Sequence, residues 1–182
     1  MQYFAGVDPS ITNTGIVVLN DRMEVVEARE SSSEIKKSVI RSTNALRLQL
    51  LRQYLQNTLE AYSELCVAYE HYSFQSVNKA FSLGELGGVY KLALFELTGS
   101  EPYLVPPGKL KQFAVGTGAA SKEAMVEQAS KEGFQYCESH DLVDAYFLAK
   151  FCMYLILPRE AVKLDTYRNL VRNRLTITQK EK

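Results

Sequence analysis

The sequence predicts an α/β domain whose mixed central sheet is flanked by helices. Three observations predict it. Apolar strand-like runs near the N-terminus are separated by polar turns, helical and strand segments alternate from about residue 35 onward, and the apolar runs end abruptly at a charge or a turn. Strands first, then helices alternating with strands, give a layered domain with a mixed sheet.

Residues 3–8 and 14–20 are apolar runs on either side of a polar turn, and they read as a β-hairpin with Asp8 at the end of its first strand. A third strand is expected over 23–28 and a helix over 35–60. The run Leu65-Cys66-Val67-Ala68-Tyr69 reads as a strand that stops at Glu70, where a buried strand would leave the core. Residues 78–98 read as a long helix interrupted by Gly84, Gly87 and Gly88, each costing up to about 1 kcal/mol relative to Ala in a helix interior. Close approach of another helix, or packing against the sheet, would offset that cost. A short strand over 103–105 then precedes helices over 107–113, 122–132 and 139–157. Ser121 and Ser139 are the expected N-caps of the last two.

Four acids stand at the ends of these segments: Asp8, Glu70, Asp141 and Asp144. Asp141 and Asp144 are three apart, which on a helix places them on one face with Cβ atoms roughly 5–6 Å apart. Taken singly, each acid reads equally well as a solvated surface residue, and Asp141 also as an acid favoured at a helix N-terminus. Taken together they form a cluster that is costly unless a cation neutralises it, because like charges disfavour each other's ionised forms. Hard oxygen ligands suit Mg²⁺ or Mn²⁺. A pair of such ions about 3.5–4 Å apart stabilises both the attacking and the leaving oxygen of a phosphodiester cleavage.

The blocks Gly6-Val7-Asp8-Pro9-Ser10 with Thr14-Gly15, Ala68-Tyr69-Glu70, Pro106-Pro107-Gly108-Lys109-Leu110-Lys111-Gln112 running through Gly116-Thr117-Gly118 to Lys122, and Asp141-Leu142-Val143-Asp144-Ala145 follow one another in a recognisable order. On these blocks the chain resembles the RuvC family of Holliday junction resolvases over residues 3 to about 150. The resemblance implies an RNase H-like fold, a homodimer, and Mg²⁺-dependent cutting of four-way DNA junctions. It also implies that Asp8, Glu70, Asp141 and Asp144 are metal ligands, that Lys111 approaches DNA at the active site, and that Lys122 assists catalysis or phosphate binding.

The lysines read the same way from their chemistry. Lys is a compact cation on a flexible stem, suited to phosphate oxygens and to the charge that grows on them in a transition state. Lys109 is a further candidate DNA contact beside Lys111. Between Lys111 and Lys122 the stretch Gly116-Thr117-Gly118-Ala119-Ala120 is nearly free of bulk, so backbone can pass close to a phosphate. After Glu70, Tyr72 and Phe74 lie in a polar loop, and either could stack on a base with a worth of roughly 1–3 kcal/mol, or cover core. His140 and His71 are candidate ligands or proton carriers, though a cap or a solvent contact is the commoner role.

With 182 residues, 46% hydrophobic and 23% charged, the chain can enclose one core. We expect a nuclease domain over 1–157 and a basic helical extension over 158–182, the latter either binding DNA or merely solvated. No signal peptide and no apolar run of membrane-spanning length is present, so a cytoplasmic protein without a membrane partner is expected. Cys66, Cys137 and Cys152 lack metal-ligand spacing and read as reduced thiols. The 21 basic residues only balance the 21 acidic ones, so any DNA surface must arise by segregation of charge.

The leading expectation is therefore a structure-selective endonuclease acting on branched DNA through two metal ions. Two other classes fit the sequence less well. A catalytically inert nucleic-acid-binding relative has no physical need to keep a repulsive carboxylate cluster. An actin-like phosphotransferase would need a second phosphate loop and a longer chain.

Overall fold

The computed structural model of the protein describes residues 1–31, 44–71 and 80–157. The expected helix segment 35–43, the start of the next helix at 78–79, Tyr72, Phe74 and the basic segment 158–182 lie outside the described residues. The elements run β1 (Tyr3–Asp8), β2 (Gly15–Asn20), β3 (Val25–Glu30), α1 (Asn44–Leu59), β4 (Leu65–Glu70), α2 (Ala80–Thr98), β5 (Tyr103–Val105), α3 (Pro107–Val115), α4 (Lys122–Lys131) and α5 (His140–Ile156).

The five strands form one mixed sheet in the order β3-β2-β1-β4-β5. β1 pairs antiparallel with β2 and parallel with β4. The third strand begins at Val25, two residues later than its composition suggests. Asn20 holds the turn open, its Oδ1 accepting from the backbone N–H of Arg22 at 2.9 Å and of Glu24 at 3.0 Å, while Met23 adopts a left-handed φ of 69°.

Strand periodicity divides the core into two layers. Ala5, Val7, Ile16, Val18, Val67 and Tyr69 face α1 and α2, whose Leu51, Leu55, Leu86, Tyr90 and Leu94 cover them. Phe4, Val17, Leu19 and Ala68 face α5, with Leu110 of α3 and Met125 of α4 packed beside it. α5 is buried on nearly every side, which its apolar run from Ala145 to Ala149 permits.

The seat of α5 on the sheet depends on two glycines. A Cβ at Gly6 would lie 1.9 Å from the carbonyl oxygen of Ala145 and 2.5 Å from the nitrogen of Ala149. One at Gly15 would lie 2.5 Å from the carbonyl oxygen of Asp141. Only residues without a side chain let the helix backbone rest on β1 and β2 this closely. No helix among the described residues is long and apolar enough to cross a membrane.

Candidate active site

The same periodicity aims the acids. Phe4 faces α5, so Gly6 and Asp8 do as well; Ala68 faces α5, so Glu70 does too. The β1–β4 register pairs Gly6 with Ala68 and Val7 with Tyr69, and one further step sets Asp8 beside Glu70 on adjacent parallel strands. Asp141 and Asp144 approach from the first turns of α5. Ser139 caps that helix, accepting from the backbone N–H of Leu142 at 3.2 Å, and its hydroxyl donates to Glu30 Oε1 at the end of β3. The cap thereby fixes the helix start against the sheet edge.

The four carboxylates feel one another. Burial raises Asp8 well above the usual carboxylate range, and Glu70, Asp144 and Asp141 raise it further. Of these neighbours Glu70 acts most strongly on Asp8, and the interaction between the two raises Asp8 while it lowers Glu70. Burial also raises Glu70, against the lowering effect of Asp8 and of Lys111 and Lys122. Asp144 is pushed up to about 7, first by burial and then by Glu70 and Asp141, with Lys122 and Lys111 opposing. This is the pattern of like charges confined in one site with two cations at its rim.

Lys111 is half-buried on α3 and Lys122 opens α4, two positions brought together by the loop between them. Gly116 terminates α3 with a left-handed φ of 89°, and a Cβ at Gly118 would sit 2.9 Å from the carbonyl oxygen of Gly108. Ser121 caps α4 as expected, accepting from the backbone N–H of Ala124 at 3.2 Å. Lys109, by contrast, is exposed and reaches Gln112 Oε1 at 3.3 Å. His140 is exposed beside Glu123, and the backbone N–H of His71 extends the sheet by donating to the Val105 carbonyl at 2.9 Å.

One site residue had no signal of its own in the sequence. Asn13, in the hairpin turn, donates from Nδ2 to Asp141 Oδ2, while its Oδ1 is buried without a hydrogen-bond partner among the described residues. The turn is held around it. The Ser10 hydroxyl accepts from the backbone N–H of Asn13 at 3.3 Å, and buried Thr14 meets Tyr90 of α2 through their hydroxyls at 3.0 Å. A polar turn residue gives no hint from sequence that its partner lies 128 positions away.

Among the described residues, no three His, Cys, Asp or Glu side chains stand in a ready-made coordination arrangement. Burial and mutual repulsion instead shift Asp8, Glu70 and Asp144 upward, toward their neutral forms. The set is nonetheless all-oxygen, mutually repulsive and buried or half-buried, and the Asn13 amide bonded to it keeps a buried oxygen without a hydrogen-bond partner among the described residues. That chemistry fits a hard divalent cation and no soft one.

The profile of the family "Crossover junction endodeoxyribonuclease RuvC" matches residues 4–135, which takes in Asp8, Glu70, Lys111 and Lys122 and stops before α5. A crossover junction endodeoxyribonuclease RuvC from Brevibacillus brevis is 30% identical over 126 residues, covering 67% of this chain and 72% of the relative. The Thermus thermophilus RuvC structure superposes with a TM-score of 0.67 at 23% identity, covering 85% of this chain and 95% of that one. A second structure, of T. thermophilus RuvC in complex with a Holliday junction substrate, gives a TM-score of 0.67 at 22% identity and covers 82% and 91%. The mixed five-stranded sheet with helices on both faces is the RNase H-like fold of those structures. By profile, relative and fold, the chain belongs to the RuvC family of crossover junction endodeoxyribonucleases.

Proposed function

We propose that this protein is a Holliday junction resolvase, a divalent-metal-dependent endodeoxyribonuclease that makes paired nicks in four-way DNA junctions. The observation that carries the reading is the convergence of Asp8, Glu70, Asp141 and Asp144 from two strands and one helix, with Lys111 and Lys122 acting on the same charges. The family and the junction-bound relative supply the substrate class.

Asp8, Glu70, Asp141 and Asp144 would hold Mg²⁺, or Mn²⁺ in its place, and two such ions supply a water nucleophile at neutral pH while neutralising charge on the attacking and leaving oxygens. Asp8, Glu70 and Asp144 are all raised and must be ionised to ligate a cation, so cation affinity rises with pH. Lys111 and Lys122 bring ammonium groups to the edge of the site, where a phosphodiester would bear its developing charge. Asn13 fixes one oxygen of Asp141. We expect Asn13→Ala to weaken Mn²⁺ binding about tenfold with far-UV circular dichroism unchanged, as for the loss of a hydrogen bond behind a metal ligand. Titration calorimetry would read this directly, and unaltered affinity would remove Asn13 from the site.

A homodimer would set two such sites across one junction. On α2, Phe81, Gly84, Gly88, Leu92 and Phe95 recur at the spacing of a helix–helix seam on the face opposite buried Leu86, Tyr90 and Leu94. Leu92 and Phe95 are 56% and 48% exposed, and a Cβ at Gly84 or Gly88 would meet nothing within 4 Å, so a partner helix has room to approach closely. Leu92→Glu with Phe95→Glu is expected to yield a folded monomer in sedimentation velocity where the unaltered chain is a dimer. A monomeric unaltered chain at micromolar concentration would contradict the seam.

We place the nuclease domain at 1–157, with 158–182 as a basic extension whose seven basic and three acidic residues balance the net acidic remainder of the chain, and its work in the cytoplasm. The test is cleavage of labelled four-way, forked and linear DNA with Mg²⁺ and with a chelator. Selective metal-dependent cutting of the four-way substrate supports a resolvase; equal cutting of forks would widen the reading to a branched-DNA nuclease, and binding without cutting would leave an inert relative.

A further inference from the structure

Cys66 and Cys152 lie on the same face of the sheet as the carboxylates, at its other end. Cys66 precedes Glu70 by four residues on β4, and Cys152 follows Asp144 by eight on α5. Four strand residues advance about 13 Å and eight helix residues about 12 Å, so both elements have covered the same distance from the acid cluster. The direction agrees as well. Gly6 lies beneath Ala145 and Ala149, and the next turn of α5 reaches Cys152, while the register moves from Gly6 beside Ala68 to Phe4 beside Cys66.

The two thiols act electrostatically on each other and both act on Tyr103 of β5, and Gln2 Nε2 donates to Cys66 Sγ at 3.7 Å. Cys66 opens onto a cavity of about 400 Å³ lined also by Gln2, Tyr62, Ser63, Leu97 and Thr98. Cys152 is fully buried behind it. An accessible thiol backed by a buried one is the arrangement of an attacking and a resolving cysteine.

We propose that Cys66 and Cys152 form a thiol-oxidation site that takes hydrogen peroxide and stores the oxidation as a disulfide between β4 and α5. The Cys66 sulfur attacks a peroxide oxygen, the O–O bond breaks, and the sulfur loses two electrons to give a sulfenic acid and water. The Cys152 sulfur then attacks Cys66, the S–O bond breaks, and a second water leaves with the Cys152 proton. The interaction with Cys152 draws the Cys66 thiol down to about 6 against its partial burial, which favours the thiolate that the first step needs. Cys137 provides an internal comparison. Its Sγ donates to the Phe134 carbonyl at 3.1 Å, and burial raises rather than lowers its pKa.

The disulfide would clamp, at one end, the two elements that carry Glu70 and Asp144 at the other. The test is brief peroxide treatment of the full chain, then alkylation in denaturant and peptide mass spectrometry. Free thiols should fall from three to one, with Cys66 linked to Cys152, Cys137 still alkylated, and full reversal by dithiothreitol. Cys152→Ser should leave Cys66 as a sulfenic acid captured by dimedone, and Cys66→Ser should leave Cys152 unreacted. Survival of all three thiols, oxidation of Cys137 as fast as Cys66, or oxidised Cys66 without a bond to Cys152 would each overturn the proposal.

Discussion

Alanine at Gly6 is expected to lower the midpoint of thermal unfolding by about 10 °C, because a methyl group there costs about 3 kcal/mol or more. Its Cβ would stand 1.9 Å from the Ala145 carbonyl oxygen and 2.5 Å from the Ala149 nitrogen, both of them backbone atoms that no rotamer change can move aside. The helix must lift. α5 fills the core between the sheet and α3 and α4, so lifting it opens contacts with Phe4, Val17 and Ala68 together. It also withdraws Asp141 and Asp144 from Asp8 and Glu70, so nicking should be lost in whatever fraction remains folded. A shift under about 2 °C, seen by calorimetry, would mean that α5 does not rest on β1 as described.

Asp144→Asn is expected to change activity and stability in opposite directions. As a proposed metal ligand, its loss should reduce junction cleavage by a factor of about 10³ or more, the scale at which an electrostatic stabiliser of a transition state is missed. In the metal-free protein the same change should stabilise. The folded-state pKa of Asp144 stands above its ordinary value of 3.8, at about 7. A carboxyl raised in this way contributes its stability below the unfolded pKa and forfeits it as pH climbs through the folded one. Ionised at pH 8, it is a buried charge beside Glu70 and Asp141, and the neutral amide removes that cost. The variant should therefore unfold about 3–6 °C above the unaltered protein at pH 8 in chelator, with the gap closing toward pH 4. Divalent cation should erase the advantage by stabilising only the unaltered chain. A variant less stable at pH 8 would show that Asp144 is structural rather than strained.

What the sequence discloses about this site is local. Asp8 and Glu70 are legible because an apolar strand that stops at an acid marks where a chain leaves the core, and Asp141 with Asp144 because a spacing of three on a capped helix selects one face. Both serine caps follow from the same kind of short-range rule. Contacts across long sequence separations leave no such mark. The Asn13 bond to Asp141, the meeting of Thr14 and Tyr90, and the approach of Cys66 to Cys152 arise only once β1, β4, α2 and α5 are assembled. Gly6 and Gly15 are intermediate cases. Both belong to the blocks that carry the family resemblance, yet their reason, the backbone of α5 lying on them, is visible only in three dimensions. β3 starts two residues later than composition suggests because Asn20 lengthens the turn through side-chain hydrogen bonds that composition does not express. Lys109 shares the basic block with Lys111, and helical spacing turns it to solvent, where it stands as a proposed DNA contact, while the choice between Tyr72 and Phe74 concerns residues outside those described.

The central claim is that the acid cluster cuts DNA at a branch. The most direct test places the unaltered protein and Asp8→Asn on a four-way junction with each strand labelled in turn, with Mg²⁺, and maps the products on a denaturing gel. The account predicts nicks on two opposed strands at symmetry-related positions, resealable by ligase, from the unaltered protein alone, with junction binding retained by the variant. Cleavage that persists in Asp8→Asn, or junction binding by the unaltered protein with no nick in any strand, would contradict it.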